Sequence, residues 1–191
     1  MITIGILAVQ GAFIEHQRVL EKLQCKTFEI RQLKDLKLPM DGLILPGGES
    51  TAMNRLLNDL NLFDPLKDMI SKGLPTFGTC AGMILMAKRI LHQEKHHLQV
   101  MNIAVERNAY GRQLGSFQTI AKFNKEEIPM TFIRAPYIVS CGPNVEVLSI
   151  VKDRIVAARQ DHMLATAFHP ELSDNLYIHQ YFLEMVSSYK K

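Results

Sequence analysis

Tryptophan is absent from this chain, and cysteine is scarce, with 3 in 191 residues. An odd number of cysteines without a C-x-x-C spacing offers neither a disulfide framework nor a structural zinc site, and points to free thiols in a reducing compartment. Phosphate-binding glycine signatures are also missing. There is no G-x-x-x-x-G-K-[ST], and GILAVQGA does not fit G-x-G-x-x-G. No cationic run exceeds a few residues and the formal net charge is only +3, so there is no electrostatic footprint for nucleic acid or an anionic membrane. The apolar opening, MITIGILAV, lacks a basic leader and meets Gln10 and Glu15 too soon for a signal peptide or a membrane span. With 47% hydrophobic and 21% charged residues, the expectation is a cytoplasmic globular protein with a sizeable core, residues 1–191 forming one domain.

What is present is an alternation of short buried strands and amphipathic helices. ITIGILAV (2–9) reads as a central parallel strand buried on both faces. Helical spacing follows over Phe13–Leu23, then a strand at Lys26–Ile30 and another at 41–46. Ser50 or Thr51 is expected to cap a helix reaching Leu60, and Phe63–Ser71 forms another with Pro65 in its first turn. A strand over 75–79 and a helix over Ala81–Leu91 complete a pattern that predicts an α/β fold, a doubly wound, mostly parallel sheet flanked by helices. The middle of the chain changes character. Short strands at 102–107, 114–123, 131–135, 145–151 and 154–159 read as an antiparallel addition or a mixed-sheet edge. A last core strand at 163–168 and a closing helix at 175–189 follow. The polar stretch 92–97 holds three histidines, but without partners at metal-site spacing it reads as a solvated loop, and no metal is expected.

Three unusual segments fall at strand ends, where open α/β sheets bind ligands: LPGGEST (45–51), FGTCAG (77–82) and AFHPEL (167–172). Cys80 stands where a strand passes into a helix, between small residues that relieve crowding at a sharp turn. Helix-terminal N–H groups there favour a thiolate. The arrangement is that of a nucleophile elbow with sulfur in place of oxygen. His169 and Glu171 flank Pro170, and in extended chain their side chains share one side, as a base and its orienter do. Gly47 and Gly48 let a ligand approach the backbone and offer N–H groups to an oxyanion. Each segment also has an ordinary reading. A free cysteine is a small core hydrophobe, His-Pro-Glu makes a surface turn, and Gly-Gly makes a tight turn.

In order along the chain, LAVQGAFIEH, LPGGEST, FGTCAG, VERNAYGRQLGSF, FIRAP and AFHPEL resemble the PdxT/SNO family, the glutaminase subunits of the two-component pyridoxal 5′-phosphate synthases, within the class I (triad) glutamine amidotransferases. The likeness runs through essentially the whole chain. AVQGA (8–12) and DHMLAT (161–166) depart from the family's commoner wording, and neither holds a triad position.

The resemblance implies hydrolysis of L-glutamine to glutamate and ammonia through a γ-glutamyl thioester. Cys80 matches the nucleophile, His169 the base and acid, and Glu171 its orienter. Gly47, Gly48 and Glu49 match the loop that binds glutamine and shapes the oxyanion hole. Arg107 and the Ile133–Arg134 pair match further glutamine contacts, and Gln10 lies in a segment near the oxyanion hole and the partner. No cofactor is implied. Pyridoxal phosphate would be the product of the complex, made on a PdxS/SNZ-type synthase subunit in a large hetero-oligomer. From the residues, Arg107 suits the α-carboxylate of glutamine or a structural ion pair such as one with Glu106 of another copy. Glu49 suits the α-amino group or the start of its helix. Other readings are a glutaminase subunit of another synthase, a non-catalytic subunit of the same fold, or a cysteine peptidase or deglycase on a similar sheet.

Overall fold

A computed structural model describes residues 1–93, 97–107 and 115–189. In chain order, β1 (Thr3–Leu7), α1 (Phe13–Lys22), β2 (Lys26–Ile30), β3 (Gly42–Leu45), α2 (Ser50–Asp59), α3 (Phe63–Ser71), β4 (Thr76–Thr79) and α4 (Ala81–Met86) form the first half. Then come β5 (Ala87–Ile90), β6 (Met101–Glu106), β7 (Ser116–Phe123), β8 (Glu126–Ile133), β9 (Tyr137–Cys141), β10 (Glu146–Val151), β11 (Arg154–Gln160), β12 (Met163–Thr166) and α5 (Tyr177–Tyr189).

The main sheet runs β2-β1-β3-β4-β12-β11-β9-β6-β5, with β10 on β11. From β2 to β12 every pairing is parallel. The residues of β3, β4 and β12 are all buried, because helices cover both faces. Side-chain alternation sorts those faces. Gly42 on β3 lies against Phe182 and Val186 of α5, whereas Leu45 lies against Gly82 of α4. On β4, Phe77 meets His16 of α1 and His179 of α5, while Gly78 lies under Met86 of α4. The α/β expectation is met. The antiparallel addition divides in two: β6, β9, β10 and β11 extend the main sheet, and β7 pairs with β8 as a separate two-stranded ribbon.

Several boundaries differ from expectation. The helix expected over Ala81–Leu91 ends at Met86, and Ala87–Ile90 is a strand paired with β6. Helix propensities among these residues differ by no more than about 0.7 kcal/mol each, whereas burying an Ile such as Ile90, 5% exposed, contributes about 2 kcal/mol. Tertiary packing therefore decides the segment. Strand β9 was not expected; it is five residues long with little alternation. Neither Ser50 nor Thr51 caps α2. Glu49 does, its Oε1 accepting from the Thr51 N–H at 2.9 Å and its Oε2 from the Ala52 N–H at 2.7 Å. In the histidine-rich stretch, residues 94–96 lie outside the described residues, and His97 is buried rather than solvated. Residues 108–114, which hold most of the motif after Arg107 and the expected start of β7, also lie outside them.

Candidate active site

Strands β3, β4 and β12 are neighbours and parallel, so their carboxyl ends emerge side by side. The three unusual segments converge there.

The sharp turn at Cys80 has φ 48° and ψ −102°, a left-handed conformation that a residue with a side chain adopts only under constraint. The constraint is visible. The Cys80 N–H donates to the Thr166 carbonyl at 2.8 Å, locking the turn to β12, and the Cys80 carbonyl accepts from the Ile84 N–H at 3.1 Å. Gly82 lets the α4 backbone sit against β3; a Cβ there would stand 1.9 Å from the Leu45 carbonyl oxygen. The small residues around Cys80 are thus needed to press the turn into the sheet. Because α4 has only six residues, its end charge is weaker than the expected longer helix would give. The main electrostatic partner of the sulfur is His169.

His169 is reached by a different route from the one expected. Pro170–Leu172 forms a single 3₁₀ turn, not extended chain, so His169 and Glu171 meet across a turn. Although Leu172 faces solvent, the functional side chains are buried, His169 7% and Glu171 6% exposed, which removes the surface-turn reading for the pair. The His169 N–H donates to the Thr131 carbonyl of β8 at 2.8 Å, so the β7–β8 ribbon anchors the segment. His169 Nδ1 lies 2.7 Å from Glu171 Oε1, leaving Nε2 for the hydrogen bond with Cys80. Burial alone would lower the His169 pKa. The hydrogen bonds to Cys80 and Glu171, with their charges, overcome it and push the value up to about 10. Burial likewise acts to raise Glu171, but the neighbouring His16 and His169 hold its carboxyl below the usual range.

The Gly47–Gly48 loop closes the other side. A methyl group on Gly47 would stand 2.4 Å from His169 Cε1 and 3.5 Å from Cys80 Cβ. The loop is tied to the segment that follows β1. The Gly47 carbonyl accepts from the Ala12 N–H at 2.9 Å, and Gln10 Oε1 accepts from the Glu49 N–H at 2.9 Å. The Gln10–Ala12 break after β1 therefore holds the loop at both ends.

The family's sequence pattern for SNO glutamine amidotransferases matches residues 6–188. The chain belongs to that family. A Methanocorpusculum labreanum protein named pyridoxal 5′-phosphate synthase subunit PdxT is 57% identical over 96% of this chain and 97% of its own length. A Streptococcus pneumoniae protein of the same name is 55% identical over 95% of this chain and 96% of its own. A crystal structure described as a glutamine amidotransferase superposes with a TM-score of 0.91 at 40% identity, covering 96% of this chain and 98% of that one.

Within this amidotransferase, Cys80, His169, Glu171 and Gly47 are brought together, with Gly48, Glu49 and Gln10 behind them. Arg107 lies at the margin. Its guanidinium donates to Glu49 Oε1 at 3.2 Å, Thr51 Oγ1 at 3.2 Å and Gln93 Oε1 at 3.4 Å. Its acidic partner is thus Glu49 of the same chain, not Glu106, which accepts from the Tyr137 hydroxyl at 2.7 Å. Burial would raise the Glu49 carboxyl, but the two helix N–H groups and Arg107 hold it below its usual value. Ile133 and Arg134 stand at the end of β8, just past Thr131, and their side chains are not in the bonded cluster around Cys80. Sequence reasoning missed Thr131, Thr166, His16 and His179. The first two act through backbone carbonyls, which any residue type supplies. The histidines were single polar positions on amphipathic helices.

Gly47→Ala is expected to lower kcat/KM for glutamine by about 100-fold, since displacing a reacting group by an ångström costs on that order. The added methyl would overlap His169 Cε1, so the ring must leave its place beside Cys80 and Glu171. Melting should move by only a few degrees, and unchanged kinetics would remove the contact from consideration.

Proposed function

We propose that the chain is the glutaminase subunit of a pyridoxal 5′-phosphate synthase, working in the cytoplasm with a PdxS/SNZ-type synthase subunit in a hetero-oligomer and passing it ammonia from L-glutamine. The observation that carries the reading is the bonded series Cys80–His169–Glu171 at the ends of adjacent parallel strands. The names of the relatives support the choice of synthase over other ammonia acceptors.

In this reading the Cys80 thiolate attacks the carboxamide carbon of glutamine. The carbonyl oxygen becomes an oxyanion, received by backbone N–H groups of the Gly47–Gly48 loop and of Ala81, one of the helix-start amides without an intrahelical acceptor. The protonated His169 gives its Nε2 proton to the departing nitrogen, and ammonia leaves. A γ-glutamyl thioester remains on Cys80. His169 then takes a proton from water, which attacks the thioester carbonyl and releases glutamate. Glu171 keeps the imidazole ring oriented and stabilises its charge. Glutamine is a zwitterion, and the Arg107–Glu49 pair presents one group for each of its α-charges. By the family resemblance, Ile133 and Arg134 at the end of β8 supply further glutamine contacts. No metal or cofactor takes part. A partner segment pressing on Gln10–Ala12 would move the oxyanion loop through the two hydrogen bonds that tie them, so the partner raises kcat as well as receiving ammonia.

The test is glutaminase activity of the full chain with and without its synthase subunit. Activation on adding the partner is expected. A full rate on the lone chain, unchanged by the partner, would remove the gating step, and no glutamine hydrolysis in either state would remove the reading. Arg107→Lys is expected to raise KM for glutamine several-fold more than it lowers kcat, because a lysine cannot form the bidentate carboxylate contact. An unchanged KM with a lowered melting temperature would make Arg107 a strut for α2 instead.

A further inference from the structure

Beneath Glu171 lies a pair of fully buried histidines that the reaction as described does not use. His16 on α1 and His179 on α5 are both 0% exposed, with His16 Nδ1 2.9 Å from His179 Nε2. The other nitrogen of His16, Nε2, lies 3.2 Å from Thr79 Oγ1 and 3.6 Å from Glu171 Oε2. Phe77 packs near-perpendicular to both rings, with centroids 6.0 and 5.8 Å away, and holds them in place.

Two buried atoms in this cluster lack hydrogen-bond partners among the described residues: Glu171 Oε2 and His179 Nδ1. They settle where the protons sit. A proton on His179 Nδ1 would be a buried donor with no acceptor, so His179 carries its proton on Nε2. That N–H donates to His16 Nδ1, which must then be the acceptor. The His16 proton is left on Nε2, facing Thr79 Oγ1 and the unsatisfied oxygen of Glu171. Burial lowers both histidines from the ordinary value, His179 strongly, so the pair is neutral at neutral pH.

We propose that His16, its tautomer set by His179, is a positioning residue that steadies the Glu171 carboxylate electrostatically, its Nε2–H standing between Thr79 Oγ1 and Oε2. The proposal rests on the triad reading of Glu171. A carboxylate turns easily about its terminal torsion, because that rotor is broad. One hydrogen bond, from His169 to Oε1, does not fix its plane. The His16 N–H, held at 3.2 Å from Thr79 Oγ1, sets its positive end 3.6 Å from the second oxygen, and this attraction, short of a hydrogen bond, favours the plane in which Oε1 faces His169 Nδ1.

Two measurements test this, both on the full chain with its synthase partner. The first needs no substitution: ¹⁵N chemical shifts of the histidine rings at neutral pH. Both His16 and His179 are expected as Nε2–H tautomers, and a proton on His16 Nδ1 would overturn the proposal. The second is a double-mutant cycle. His16→Phe is expected to lower kcat about 10-fold with KM for glutamine within about two-fold, a coupling typical of residues in one network. His16→Gln, which keeps an N–H in the same region, should recover most of the loss. In a Glu171→Gln background His16→Phe should cost less than about two-fold, because its effect passes through the carboxylate. Losses that multiply would mean that His16 only supports packing, and a parental kcat in His16→Phe would sink the idea outright. Should His16→Phe fail to fold, His179→Phe, which frees the His16 tautomer, serves in the same cycle. His169→Asn is the control: activity retained there overturns the triad itself, whereas its loss alongside an active His16→Phe overturns only the positioning role.

Discussion

Cys80→Ala is expected to yield a folded protein whose glutamine hydrolysis has fallen by at least about 10⁴-fold, the scale of losing a covalent nucleophile. The same change at Cys25 or Cys141 should leave most activity. Those two are half-buried, and burial raises both their thiols, so they are poor nucleophiles. A glutamine-like electrophile such as a diazo-ketone should label Cys80 alone; labelling mainly at either other cysteine would overturn the assignment. A companion variant separates chemistry from strain. Cys80 sits at φ 48°, where a side chain costs about 1–3 kcal/mol. Alanine keeps that strain, and glycine releases it at the cost of about 0.5–1 kcal/mol in chain entropy. Cys80→Gly should therefore be as inactive as Cys80→Ala but melt at the same temperature or a few degrees higher. A Gly variant clearly less stable than the Ala variant would mean that the turn is not held under strain.

The strain also shows why the site was so legible. A turn that forces a left-handed cysteine against a neighbouring strand needs small residues nearby, and FGTCAG carries that need in six letters. The parallel strands were equally plain, because burial on both faces leaves continuous apolar runs such as TIGIL and GLIL. Beyond the local pattern, legibility fails for identifiable reasons. Residues 87–90 read as more helix until the edge of the sheet accepts them. Glu49 was a candidate for substrate or helix start, and only the folded loop shows it capping α2 and pairing with Arg107 at once. His16 and His179 are separated by more than 160 positions, and their meeting at 2.9 Å depends on α1 and α5 covering the same face. No local spacing can announce such a pair.

The second large effect is in the pH profile. His169 is raised from the ordinary imidazole value of 6.5 to about 10, so its proton is present at rest and available to the leaving ammonia. The alkaline limb of kcat/KM for glutamine is therefore expected near pH 10. His169→Asn removes both proton carrier and thiolate partner and should cost about 10⁴-fold at every pH. Glu171→Gln keeps a polar group against Nδ1 but removes the negative charge that favours the imidazolium. It should lower kcat about 100-fold, within the range of acid–base assistance, and move the alkaline limb to lower pH. Folding stability follows the same ionisation. A raised His169 pKa contributes stability that is complete below 6.5 and is lost as pH rises through about 10. The lowered Glu171 carboxyl contributes above the usual carboxylate range and loses its part as pH falls through its folded value. Denaturant midpoints measured from pH 6 to pH 10.5 should thus fall more steeply at the alkaline end for the parent than for His169→Asn. Parallel falls in the two proteins, or a Glu171→Gln profile with its alkaline limb unmoved, would show that the imidazolium is not held by Glu171.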